Sequence, residues 1–548
     1  MMANLVEIRD LKVRAQSDSG RLIEIIRGVS FEAAEGEVVA LIGESGSGKS
    51  TIALTLMGHT RAGCEIIGGQ VRLAGRDLVA MSEAERRRLR GTDVAYVPQS
   101  AAAAFNPAQR LIDQVVEVSR IHGLMPRQAA RARAVELFRA LALPEPETIG
   151  ERYPHQVSGG QLQRLAAAMA LIGAPRLMIF DEPTTALDVT TQIEVLRAFK
   201  QVMKQGGMAG LYVSHDLAVV AQVADRIVVL KDGAVQETGT TDDIINRPQH
   251  PYTKELIAAF RPVSHATVAS PAAAAEAPIL EVRNLVAGYG RPGPDGMPRV
   301  RALDDVSCRL ERGRNLGVIG ESGSGKSTLA RAIAGLLPPV SGEVLLGGQA
   351  LAPDVARRAK EDLRRMQICF QLADTALNPL RSVSDIIGRP LTFFHGQRGR
   401  AREARVEELL EMVRLPRAMK HRLPLELSGG QKQRVNLARA LAANPEIVLC
   451  DEITSALDTV VAAAILELLD ELQRELDLSY VFISHDLSTV QAICDEVMVM
   501  YGGRTVETLQ ASALPEGATQ DYSRLLFASV PQLDTGWLDG LPERLPGT

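Results

Sequence analysis

Short apolar runs and longer stretches of helical spacing alternate along this chain. Val38–Ile42 and residues 316–319 are β-like runs, each leading through a glycine-rich turn into a segment with the Ala and Leu content of a helix. Residues 177–180 and 447–450 are further apolar runs, each closed by two carboxylates. A strand buried on both faces of a parallel sheet delivers polar residues in this way at its C-terminal edge. Residues 162–172 and 432–441 space their apolar positions for helices. The alternation predicts an α/β fold with mainly parallel sheets. No run of about 18 or more apolar residues occurs, so no membrane-spanning helix is expected from the chain itself.

The whole pattern occurs twice. Ile-Gly-Glu-Ser-Gly-Ser-Gly-Lys-Ser-Thr stands at 42–51 and again, letter for letter, at 319–328, placing Lys49 and Lys326 277 positions apart. Two later pairs of landmarks, Gly159 with Gly429 and His215 with His485, are each 270 apart, so the halves align nearly without gaps. At 548 residues the chain exceeds what one core serves and fits two domains of about 250 residues. The expected boundaries are 4–262 and 279–530, with 263–278, rich in Ala, Ser and Pro, as a linker. Residues 531–548 turn Gly- and Pro-rich and are expected to form a frayed tail.

Composition narrows the class. The 61 basic and 66 acidic residues leave a net charge of −5, and only 4% of the chain is aromatic, so neither a basic footprint nor a base-stacking platform is indicated. Cys64, Cys308, Cys369, Cys450 and Cys494 are scattered, without the short paired spacings of a zinc site, and read as buried thiols in a reducing compartment. Glu7 and Asp10 sit where a secretory signal needs a basic start and an apolar core. A cytoplasmic protein is expected.

The repeated motifs carry the chemistry. In the duplicated loop, Gly43, Gly46 and Gly48, and again Gly320, Gly323 and Gly325, let the backbone curl so that successive N–H groups face phosphate oxygens. Ser45, Thr51, Ser322 and Thr328 complete the loops, and the helix that follows adds its positive end. Lys49 and Lys326 are expected on the β and γ phosphates, with Ser50 and Ser327 on Mg²⁺. Gln99 and Gln371 close short apolar runs, where an amide can ligate Mg²⁺ or hold water. Ser158-Gly159-Gly160-Gln161 and Ser428-Gly429-Gly430-Gln431 open helical segments and form a second N-terminal anion cradle. Of the paired carboxylates Asp181-Glu182 and Asp451-Glu452, one can hold hydrated Mg²⁺ while its neighbour orients the attacking water. His215 and His485, each after a short strand-like apolar run, suit a sensor of the terminal phosphate.

This order of phosphate loop, glutamine, Ser-Gly-Gly-Gln, Asp-Glu, Leu-Asp and His resembles the ATP-binding cassette (ABC) family over almost all of both halves. The Ser-Gly-Gly-Gln element separates it from other phosphate-loop ATPases. The resemblance implies two tandem P-loop ATPase domains, each with a mainly parallel RecA-like core, an N-terminal antiparallel β region and a helical insert. It also implies hydrolysis of ATP with Mg²⁺ and head-to-tail pairing of the cassettes within the chain. One composite site joins Lys49, Ser50, Gln99, Asp181, Glu182 and His215 to Ser428 and Gly430. The other joins Lys326, Ser327, Gln371, Asp451, Glu452 and His485 to Ser158 and Gly160. Both look hydrolytically complete.

Asn246-Arg247-Pro248-Gln249-His250-Pro251-Tyr252-Thr253, with Asn106-Pro107 and Asn378-Pro379 after the glutamines, is similar to the peptide/nickel importer subfamily. That resemblance implies two integral-membrane permeases, a solute-binding protein beyond them, and a peripheral position on the cytoplasmic face of the membrane. Segments 100–156 and 372–426 are the expected contacts with the permeases. Departures from the pattern matter. An aromatic expected to stack on adenine is Tyr289 in the second half but Ala15 in the first, so the two sites are expected to differ in affinity. Val157 and Ile453 are mild changes outside the reacting atoms. Gln520-Asp521-Tyr522-Ser523 replaces His-Pro-Tyr-Thr in the second half, and no iron–sulfur centre is expected. The alternatives are a fused sugar-importer ATPase, which predicts one weakened site, and a twin-cassette ATPase acting on ribosomes or nucleic acid, which predicts a long charged linker.

Overall fold

The computed structural model describes residues 4–16, 20, 22–184, 187–260, 277–294, 296–455 and 457–541. All but the last two positions of the expected linker, and Ala186 and Ala456 before the two Leu-Asp pairs, lie outside the described residues. The described residues divide into two compact units, one of residues 4–260 with 531–541 and the other of residues 277–530.

In the first unit six strands form one sheet in the order Ala234–Thr240, Arg226–Lys231, Val38–Ile42, Ala209–Val213, Leu177–Asp181 and Val94–Val97. Every neighbouring pair is parallel except the first, which is a hairpin. The predicted all-apolar runs occupy the sheet's middle, where helices cover both faces. A second, antiparallel sheet orders Leu22–Ala34, Asn4–Gln16, Cys64–Leu73 and Arg76–Asp77. Ile8, Leu11 and Val13 from it join Val39, Leu41, Leu56 and Ile179 in one core, all fully or almost fully buried. Each such side chain contributes about 1.5–3 kcal/mol by leaving water. Short helices at Ala101–Ala104, Leu111–Val115 and Glu117–His122, then Arg127–Ala140, fill the insert between sheet strands.

The second unit repeats this plan. Its main sheet runs Met366–Cys369, Ile447–Asp451, Ser479–Ile483, Asn315–Ile319, Glu496–Tyr501 and Arg504–Gln510, and its antiparallel sheet Pro298–Leu310, Leu280–Pro292, Ser341–Leu346 and Gln349–Ala350. Val383–His395 and Gly399–Met412 are the long helices of its insert.

The expectation of a frayed tail needs correcting. Residues 531–541 fold onto the first unit as a strap. The buried Gln222 amide donates to the carbonyls of Gln532 and Asp534 at 2.8 and 2.9 Å, and its oxygen accepts the N–H of Leu538 at 3.0 Å. Lys200 pairs with Asp539 at 2.9 Å. Leu538, 2% exposed, supplies the apolar anchor.

Candidate nucleotide-binding and hydrolysis sites

Each phosphate loop springs from the central strand of its sheet, where the chain must turn at once into a helix. Gly43 takes φ +147°, and a β-carbon there would lie 2.0 Å from the Leu230 carbonyl oxygen, so only glycine fits. Gly320 is equivalent, 2.1 Å from the Met500 oxygen. Helices Lys49–Leu56 and Lys326–Ile333 begin immediately after left-handed Gly48 and Gly325. Ser45, Gly46, Ser322 and Gly323 form the exposed crests of the loops. The Lys49 ammonium is buried and donates to the carbonyls of Gly43 and Glu44 at 2.7 and 2.9 Å. Lys326 does the same with Gly320 and Glu321, both at 2.8 Å.

The carboxylate pairs arrive at the ends of Leu177–Asp181 and Ile447–Asp451, each one strand removed from the strand that carries the phosphate loop. Ser50 donates to Asp181 at 2.9 Å, and Ser327 to Asp451 at 2.8 Å. A hydroxyl beside a carboxylate is an oxygen pair suited to Mg²⁺, which keeps waters and shares its shell with phosphates. Among the described residues no cluster of three or more His, Cys, Asp or Glu could hold a metal alone, so this open arrangement fits a cation that arrives with nucleotide. Burial, the larger influence, raises the Asp451 carboxyl above its usual range, against the lowering effect of the Ser327 hydrogen bond.

Glu182 and Glu452 occupy left-handed backbone, φ +49° and +47°. Such a conformation costs a non-glycine residue about 1–3 kcal/mol. Their N–H groups are held by Val213 and Ile483 carbonyls of the neighbouring strands at 2.9 and 3.0 Å, which keeps the side chains aimed along the sheet edge. Gln99 donates to Glu182 at 2.8 Å and His215 Nδ1 lies 3.2 Å from its other oxygen. In the second unit Gln371 donates to Glu452 at 2.7 Å, with His485 Nδ1 at 3.5 Å. The six residues assigned to each half from the sequence therefore converge within each unit.

The histidines feel their glutamates. Burial lowers His215, but the hydrogen bond and charge of Glu182 outweigh it and the net shift is upward. His485 is raised first by its hydrogen bond to Glu452, against burial. A raised histidine adds stability that is complete below the ordinary value of 6.5 and disappears as pH rises through the folded-state value. The unliganded protein should therefore melt at a lower temperature at about pH 8 than at about pH 6 on this account. Replacing both histidines by glutamine should flatten that part of a calorimetric pH series.

The Ser-Gly-Gly-Gln elements sit at helix starts. Ser158 caps Gly159–Leu171, accepting from the Gln161 N–H while Gln161 accepts from the Ser158 N–H. Ser428 and Gln431 form the same box on Gly429–Leu441. Gly160 and Gly430 face Thr191 and Val461, whose methyl groups lie 2.0 and 2.5 Å from where a β-carbon would be. Tyr289 is 39% exposed, with its hydroxyl 3.3 Å from Thr328 Oγ1 and 3.4 Å from Arg331. Strand register confirms the alignment: Ala15 faces Ile23 as Tyr289 faces Val300, so the first half has no aromatic there.

One side chain at the site escapes a sequence reading. Tyr96 donates its hydroxyl to the second oxygen of Asp181 at 2.6 Å, where the equivalent residue in the other half is Ile368. Burial, then Asp181 itself, raises the phenol well above its ordinary value, so it stays a donor. Tyr96 looks like one more apolar position of its strand, and only the pairing of that strand with Leu177–Asp181 reveals the contact. Removing a hydrogen bond that orients a metal-holding carboxylate typically costs about 10–100-fold in metal affinity. Tyr96→Phe should weaken one of two Mn²⁺ sites, titrated by electron paramagnetic resonance with ADP present, and leave the other unchanged.

The ABC transporter family model matches residues 26–185 and 303–455. The chain belongs to the ABC transporter family. It is an ATPase, and its cofactors are ATP and Mg²⁺. A second family, described as oligopeptide/dipeptide transporter, C-terminal region, matches residues 236–283. The cassettes are similar throughout to proteins named glutathione import ATP-binding protein GsiA. Those from Escherichia coli O157:H7 and strain K12 are 38% identical, covering 96% of this chain and 90% of the relative. The Salmonella choleraesuis protein is 37% identical over 94% of this chain and 88% of its own. Among the described residues no helix is long and apolar enough to cross a membrane.

Proposed function

We propose that this ATPase energises an importer of peptides or related small solutes, with permeases and a solute-binding protein as its partners. The observation that carries the reading is the run around His250-Pro251-Tyr252-Thr253, which lies within the oligopeptide/dipeptide match at 236–283. Relatives named for glutathione import make a thiol tripeptide the first cargo to test. The finer assignment is two integral-membrane permeases, with the ATPase peripheral on the cytoplasmic face and 4–262 and 279–530 as its cassette domains.

Within each cassette the residues divide the work of phosphoryl transfer, which is positioning and charge neutralisation more than covalent chemistry. Lys49 and Lys326 bring their buried ammonium groups to the phosphates. Ser50 with Asp181, and Ser327 with Asp451, hold the cation that neutralises developing charge. Glu182 and Glu452 accept hydrogen bonds in the resting structure; exchanging one of these for water makes each the base at the attacking oxygen. Gln99 and Gln371 hold the carboxylates in place, and His215 and His485 sense the terminal phosphate.

Affinity purification of the tagged chain from detergent-solubilised membranes tests the assignment. Two co-purifying multi-span permeases, with uptake of labelled peptide or glutathione abolished by deletion of the gene, support it. Ribosomal proteins without permeases would replace it by the soluble alternative.

A further inference from the structure

The helix by which the chain leaves each cassette starts with a tyrosine in contact with the phosphate loop. In Pro251–Phe260 the Tyr252 hydroxyl accepts the N–H of Glu44 at 3.3 Å. In Asp521–Ala528 the Tyr522 hydroxyl accepts the N–H of Glu321 at 3.1 Å. Glu44 and Glu321 are the same loop position, and their carbonyls accept the loop lysines at 2.9 and 2.8 Å. One residue thus carries the tyrosine on its N–H side and the phosphate-loop lysine on its carbonyl side.

Independent contacts fix where each helix starts. The Glu237 carboxylate accepts the N–H groups of Gln249 and His250 at 2.8 and 3.0 Å, and Glu507 accepts those of Thr519 and Gln520 at 2.9 and 3.4 Å. The rings are seated differently: the Lys231 ammonium lies 4.2 Å from the Tyr252 centroid, whereas Tyr522 packs on Tyr501 at 4.4 Å. Around the tyrosines the two halves have diverged, His-Pro-Tyr-Thr against Gln-Asp-Tyr-Ser and Lys231 against Tyr501. The hydroxyl and its hydrogen bond persist through that divergence, while the ring's support does not.

We propose that Tyr252 and Tyr522 are positioning residues of the phosphate loops, through which nucleotide occupancy reaches the helix leaving each cassette. The inference rests on the nucleotide sites assigned above and is independent of the cargo. Lys49 and Lys326 redistribute their three donors between loop carbonyls and phosphate when nucleotide is present. The Glu44 and Glu321 residues, held by those lysines, move with the change, and the tyrosine hydroxyl carries it to the helix start.

The test uses the full chain with Tyr252→Phe, Tyr522→Phe and both together, which keep the rings and their packing. Loss of one hydrogen bond of this kind should raise the ATP KM about three- to tenfold, with a smaller change in kcat. Hydrogen exchange of residues 251–260 and 521–528 is then followed with and without MgADP. In the wild type both helices should change protection on binding; each single variant should lose the response of its own helix alone, and the double variant both. Wild-type KM values in the phenylalanine variants, or helix responses indifferent to the substitutions or to MgADP, overturn the proposal. A wild-type chain that binds no MgADP would instead refute the site assignment, and an absent permease would refute only the importer.

Discussion

The Glu182→Gln, Glu452→Gln double variant is expected to bind ATP and fail to cleave it, with turnover down by about 10²–10⁴-fold. Glutamine keeps the length of the side chain and an oxygen to accept from Gln99 or Gln371, so the hydrogen bonds at 2.8 and 2.7 Å survive. It also tolerates the left-handed backbone no worse than glutamate does. What disappears is the proposed base, so the loss should fall on kcat while nucleotide remains bound, measured by single-turnover phosphate release beside retention of labelled ATP. Each single variant should also be impaired, because each unit brings its own lysine, serine, glutamine, carboxylates and histidine together. Normal turnover in one of them would mark its site as a passenger.

Lys49→Ala and Lys326→Ala should weaken nucleotide binding, each at its own site. Both lysines are buried, at 6% and 5% exposure, and each ammonium group donates to two carbonyls of its own phosphate loop. Charge-assisted hydrogen bonds contribute about 1.5–3 kcal/mol, so loss of the lysine should weaken ATP by roughly ten- to a hundredfold. Equilibrium dialysis of the single and double variants separates the sites: one site of unchanged affinity in each single variant, none in the double. Two sites of unchanged affinity in either single variant would remove the lysine from its assigned role.

Much of this was legible because it is local. The glycine spacing of the loops, the apolar strands ending in Asp-Glu, and the Ser-Gly-Gly-Gln helix starts all declare themselves within about ten residues of sequence. Their convergence was legible only by resemblance, since Ser50 meets Asp181 and Gln99 meets Glu182 through strand order. Tyr96 was missed because an aromatic in an apolar run reads as core, and its hydroxyl partner is 85 residues away. Gln-Asp-Tyr-Ser looked like a lost motif; its tyrosine keeps the contact that His-Pro-Tyr-Thr makes. The strap looked frayed because glycines and prolines recur from 531 onward, yet its backbone finds Gln222 more than three hundred residues earlier. Nothing periodic announces a segment held by one buried amide, one ion pair and one leucine.

That strap also carries Trp537, the only tryptophan among 548 residues, half-buried beside Leu538. The native chain thus has a single indole emitter at a single address. Its spectrum reports on the seating of the C-terminal segment alone, without a dye or an introduced cysteine, and lifting the strap into water should shift the emission to the red.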